Sequence, residues 1–126
     1  MTLPNTQKIL QSQSGMALFS AVFQQHPDAV SLTRVSDGLL LEVNDAWLAM
    51  TGYQRDEIIG KTTVALGIWG GDSGIRQQAM APLVAESSTL QSEYILHAKG
   101  GGQRAIHVNG TRLLLDGVPH LLACLR

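Results

Sequence analysis

The chain has 126 residues, 44% hydrophobic and 15% charged, with a formal net charge of -1. That is enough chain for one core and too apolar for disorder, and its scattered basic residues leave no electrostatic footprint for nucleic acid or an anionic membrane. The single cysteine, Cys124, excludes an internal disulfide framework and fits a reducing, cytoplasmic setting, while no stretch reads as a signal peptide or reaches the length of a membrane span.

In chain order, residues Gln7 to Phe23 read as a helix, with Ser12 or Ser14 as a candidate N-cap and an apolar stripe from Met16 onward. Pro27 breaks it by pushing His26 out of helical geometry. "AVSLTR" (Ala29 to Arg34) reads as a strand and "VSDG" as a hairpin turn, with the return strand over Leu39 to Val43. Asn44 or Asp45 caps the helix "AWLAMTG", which Gly52 ends, and a short helix over Gln54 to Ile59 stops at Gly60. A turn-rich stretch leads to a helix from Ser73 to about Ala85, in which Pro82 predicts a kink or an early end. Strands follow over Leu90 to Ala98, Arg104 to Leu115 and Leu121 to Leu125, joined by "KGGGQ" and Asp116-Gly117. Ile106 and Val108 share one face of the long strand, His107 and Asn109 the other. Strand clusters flanking a helical block predict an α+β fold with one antiparallel sheet.

From "FQQHPDAVSL" to the last residue the chain resembles the PAS domain, a sensory and dimerisation module of signalling proteins. "HPDAV", then "DGLLLEVNDAWLAMTGYQRDEIIGK", then "LGIW", then the paired hairpins of "LQSEYILHAKGGGQRAIHVNGTRLLLDGVPHLLACLR" stand in the family's order. Gly100-Gly101 replaces the family's frequent Asp-Gly. The "Asp-Ile-Thr" signature that commonly follows the final strand would begin at Arg126, and with the apolar ending "HLLACLR" this predicts a fragment of a longer protein. The resemblance implies a five-stranded antiparallel sheet in the order 2-1-5-4-3, with helices on one face enclosing a small cavity. Residues 1–24 are expected to form a flanking helix and 25–126 the domain.

The chemistry-bearing residues are sparse. Asn44 is read as a cap that can also tie the second strand to the helices, capping alone being preferred over a fixed hinge. Trp47 and Trp69 could stack on a flat cofactor but read first as core aromatics. Haem-binding relatives carry a histidine on the helix before the third strand; Ser73 to Ala85 has none, which argues against haem. Blue-light relatives carry a cysteine after Gly60, and "KTTVALGIW" has none, so adduct photochemistry is excluded and non-covalent flavin or another small organic ligand stays open. "GGD" at Gly70 to Asp72 reads as a loop. "KGGGQ" joins two strands rather than a strand and a helix, so it is no phosphate cradle. His97, His107 and His120 have no metal-ligand spacing, and no metal or catalytic set is expected.

The reading is a non-catalytic sensory domain that binds a small molecule in an apolar pocket, or relays a change, to an output domain beyond Arg126 such as a histidine kinase or a cyclic-di-nucleotide enzyme. Its rival is a ligand-free interaction domain with a filled core. The expected pocket residues are Leu32, Trp47, Ile58, Leu66, Met80, Tyr94, Ile106 and Val108. Met16, Phe19, Val22 and Phe23 on the first helix are expected to support a homodimer.

Overall fold

A computed structural model describes residues 13–71, 73–84 and 89–126. The elements are α1 (Gln13–Gln25), β1 (Ala29–Arg34), β2 (Leu40–Val43), α2 (Asp45–Thr51), α3 (Arg55–Ile58), α4 (Ser73–Val84), β3 (Thr89–His97), β4 (Gln103–Leu115) and β5 (Val118–Leu125). The expected helix over Gln7 to Gln11 and its Ser12 cap lie outside the described residues, as do Asp72 and Ala85. Among the described residues no helix is long and apolar enough to cross a membrane.

The strands form one five-stranded sheet in the order β2-β1-β5-β4-β3, with every pair antiparallel. Each of the late strands begins a residue or more before its expected start. Pro119 sits inside β5, opposite Leu114. Pro82 likewise lies within α4, which runs on to Val84, two residues past it. The expected early end therefore does not occur; a proline near a helix end disturbs few intrahelical bonds.

Local chemistry explains the helical block. Asn44 is extended (φ −94°, ψ 174°) and its side chain accepts from the Trp47 N–H, which starts α2. Gly52 ends it at φ +81°, donating its N–H to the Leu48 carbonyl. Glu57 accepts the Gln54 N–H at 2.9 Å to fix the entry to α3.

Backbone bonds then fasten this block to both edges of the sheet. On the β2 edge, Gly60 donates to Leu40, Leu40 to Lys61, and Thr63 to the Gly38 carbonyl. On the β3 side, His97 donates to Ile68 and Lys99 to Thr51. The segment from Asn44 to Gly71, with α4, is thus a flap anchored at both edges, and it covers edge strands that would otherwise leave backbone groups unpaired. Beneath it the core gathers Leu40, Val43, Trp47, Ile58, Leu83, Leu96, Ile106 and Leu121.

Candidate ligand-binding site

Strand alternation decides which side chains face the flap. On β1, Ser31 and Thr33 point inward with Ala29, and Val30 and Leu32 point to the opposite face. On β5 the inward set is Leu121, Ala123 and Leu125; on β4 it is Ile106, Val108 and Gly110. Gly110 leaves room there for Leu121, since an added Cβ would stand 2.5 Å from Leu121 Cδ1 and force that side chain to shift.

Between these faces lies a cavity of about 70 Å³. Most of its wall is apolar: Trp47, Ile68, Met80, Leu90, Leu96, Ile106, Val108 and Leu121, with Trp69 and Tyr94 in edge-to-face contact at 5.2 Å. One end is polar, made by Ser31, Thr33, Thr63 and Arg76. Thr63 Oγ1 accepts the Trp69 indole N–H at 3.0 Å. Arg76 is 7% exposed, and its Nη2 donates to the carbonyls of Val35 (2.9 Å) and Arg34 (3.3 Å) at the β1–β2 turn. Burial pushes this guanidinium below its ordinary range, and the charge of Asp37 opposes that. Asp37 itself is held by Arg34, which donates at 3.0 and 2.5 Å and brings the Asp37 carboxyl down to about 2.

Gly38 makes room for Arg76. It has φ +77°, and an added Cβ would lie 2.7 Å from Arg76 Nε and 2.9 Å from Thr63 Oγ1. Gly38→Ala is expected to destabilise the chain by about 2–3 kcal/mol, from the left-handed backbone and the crowding together. A loss of unfolding free energy, read from urea denaturation, of less than a third of that would show that Arg76 is not fixed at this spot.

Five of the eight expected pocket residues line the cavity: Trp47, Met80, Tyr94, Ile106 and Val108. Three do not. Leu32 is buried on the opposite sheet face, since it alternates with Ser31 and Thr33. Ile58 is fully buried in the core without reaching the cavity, and Leu66 packs half-buried against that core. The polar end was missed, although the alternation of "AVSLTR" puts Ser31 and Thr33 together on one face. Nothing in the local sequence marks Arg76, because its partners are 41 and 42 residues away.

Asn44 does more than cap. Fully buried, it accepts the Val30 N–H (2.9 Å) and the Trp47 N–H (3.0 Å), and its Nδ2 donates to the Phe23 (3.0 Å) and Asp28 (2.9 Å) carbonyls. One side chain therefore joins the end of α1, the turn before β1, β1 itself and α2.

On α1, Phe23 is buried and stacks with half-buried Phe19 at 5.5 Å, whereas Val22 and Leu18 are 60% and 61% exposed. Phe23 is thus not available to a partner, and the side chain of Met16 lies outside the described residues. His97, His107 and His120 form no metal-binding group among the described residues. Among the described residues, the set with close ligand atoms is His26, Asp28 and Cys124, within 4.8 Å of one another. Arg126 already donates to Asp28 at 2.9 Å and holds its carboxyl below the usual range, and burial pushes the Cys124 thiol up.

An antiparallel sheet in this order, with a flap over a small cavity, is the architecture of a sensory module. The PAS domain family model matches residues 27–126, and the chain belongs to that family. Among solved structures it is similar to a domain of a sensory box sensor histidine kinase/response regulator from Geobacter sulfurreducens (25% identity, 93% of this chain and 98% of that one, TM-score 0.72). It is also similar to the PAS domain of an HTR-like protein from Haloarcula marismortui (23%, 91% and 98%, 0.71). A third is the PAS domain of a LuxR-family transcriptional regulator from Burkholderia thailandensis, solved in complex with ethanol (18%, 84% and 94%, 0.66). No curated protein matches the chain with significance.

Proposed function

We propose that residues 25–126 form a cytoplasmic sensory domain that takes a small organic molecule into the cavity under the flap, with residues 1–24 as a flanking helix. The observation that carries this is the cavity itself, partly open to solvent, apolar along most of its wall and carrying a few polar side chains. The domain regulates and does not catalyse. Its output is a domain of the same chain beyond Arg126, a histidine kinase or a cyclic-di-nucleotide enzyme. The kinase is favoured by the sensor histidine kinase to which the Geobacter sulfurreducens structure belongs.

The cavity's size selects the ligand's size. Pockets for larger organic ligands run to roughly 300–1,000 Å³, against about 70 Å³ here. A flavin does not fit unless the flap is displaced. Ethanol, carried by the Burkholderia thailandensis domain, is of a size that such a cavity takes. Small alcohols, acids and amides titrated into the 126-residue chain are expected to shift the amide resonances of Met80, Ile106 and Val108. The rival reading, a ligand-free interaction domain with a filled core, predicts no shift from any of them.

The flanking helix supports a homodimer through Leu18 and Val22, which leave a continuous apolar strip in solvent. Leu18→Glu with Val22→Glu is expected to weaken dimerisation at least tenfold in light scattering while leaving the thermal midpoint of the domain nearly unchanged. A dimer of equal strength in the variant would remove α1 from the interface.

A further inference from the structure

We infer that the cavity's ligand is an anion, specifically a small amphipathic carboxylate whose head group meets Arg76 and whose apolar body lies along the Trp47, Ile106 and Val108 wall. This rests on the ligand-binding reading above and names the ligand class.

The inference follows from what is missing around the polar end. A buried guanidinium normally faces a carboxylate, because an uncompensated charge away from water is costly. Arg76 has no such partner among the described residues. Its two hydrogen bonds both leave from Nη2 and both end on backbone carbonyls. Asp37 is the acidic group whose field it feels, but both oxygens of Asp37 are engaged by Arg34. The flanking hydroxyls repeat the pattern. Ser31 is 6% exposed and Thr33 7%, both line the cavity, and neither side chain has a hydrogen-bond partner among the described residues. Thr63 accepts from Trp69, which leaves its own O–H to donate.

Thus a positive charge and three hydroxyl groups line an otherwise apolar space, with Arg76 and Thr63 side by side at Gly38. A neutral apolar ligand would cover the Ser31 and Thr33 hydroxyls without bonding them and would bring Arg76 no countercharge. A carboxylate accepts from Arg76 and from a neighbouring hydroxyl and supplies the countercharge, and charge-assisted bonds of this kind are about twice as strong as neutral ones. The apolar remainder of the wall excludes a fully polar anion such as phosphate, which would gain nothing from it. The small volume limits the body to a short aliphatic chain or a single ring.

Matched probes test this on the whole chain by calorimetry and NMR: butyrate against butanamide, and benzoate against benzamide. The carboxylate of a pair is expected to bind at least tenfold more tightly than its amide. Arg76→Met should abolish that preference, bringing the affinity of each carboxylate down to that of its amide or below. Arg76→Met also uncaps the β1–β2 turn and could fail to fold, so Thr33→Val serves as the second variant. It leaves the turn intact and should weaken carboxylate binding severalfold. Amides that bind as well as acids, or a preference that survives in Arg76→Met, would overturn the carboxylate assignment and leave the ligand-binding reading standing. If no probe binds, that reading falls and the assignment falls with it.

Discussion

Asn44→Ala is expected to lower unfolding free energy by about 3–5 kcal/mol, among the largest single effects in this chain. Five partners lose their bond at once: the N–H groups of Val30 and Trp47 and the carbonyls of Phe23, Asp28 and, at 3.4 Å, His26. Each buried group left without a partner costs about 1–3 kcal/mol, part of which is recovered by relaxation and water. The Trp47 N–H keeps a second acceptor in the Asn44 carbonyl, at 3.1 Å, which softens its loss. Asn44→Asp separates capping from tying. The aspartate keeps an oxygen for Val30 and Trp47, but turns a second oxygen toward the Phe23, His26 and Asp28 carbonyls, where the amide had donated. It is expected to be at least as destabilised as the alanine variant at pH 7, despite its near-identical shape. Urea denaturation of the three proteins decides the matter. An aspartate variant close to wild type would mean that the cap alone matters and that α1 and the turn before β1 are not held through this residue.

Trp47→Ala is the second large effect, at about 3–5 kcal/mol. The indole is 2% exposed and stands between α2 and the sheet, where it is part of both the core and the cavity wall. Its removal takes away apolar burial and leaves a hole that the doubly anchored flap cannot fully collapse into. Trp47→Phe keeps much of the apolar burial and is expected to lose less than half as much. The two effects separate in binding. Trp47→Ala enlarges the space, so it should admit bulkier probes than wild type, and Asn44→Ala should not. Equal probe selectivity in both variants would place the ligand away from Trp47.

The fold was legible because its signals are local. "AVSLTR" gives β1 residue for residue, "DG" before β2 gives the turn, and Asn44 and Gly52 bracket α2. The sheet order came from the family resemblance and not from any pattern of charges or apolar residues. The cavity was half legible. Apolar character found Trp47, Met80, Tyr94, Ile106 and Val108, but it also drew in Leu32, whose strand position turns it to the other face. It passed over Ser31 and Thr33, which the same alternation turns inward. Arg76 was beyond reach, because its burial depends on carbonyls of the distant β1–β2 turn and on the empty space beside Gly38. Asn44 was seen as a cap from its neighbours in sequence. Its bonds to Phe23 and Asp28 cross 21 and 16 residues and could only be read from the fold.

On the proposed function, filling the cavity moves the flap and the chain ends. The most direct measurement is an amide NMR spectrum of the 126-residue chain with and without saturating butyrate. Shifts are expected at Ser31, Arg76 and Ile106 beside the ligand, and also at Asn44, Asp28 and Arg126, where the flap, the turn before β1 and the end of β5 meet. Butyrate that saturates the cavity residues yet leaves Asn44, Asp28 and Arg126 unmoved would contradict it.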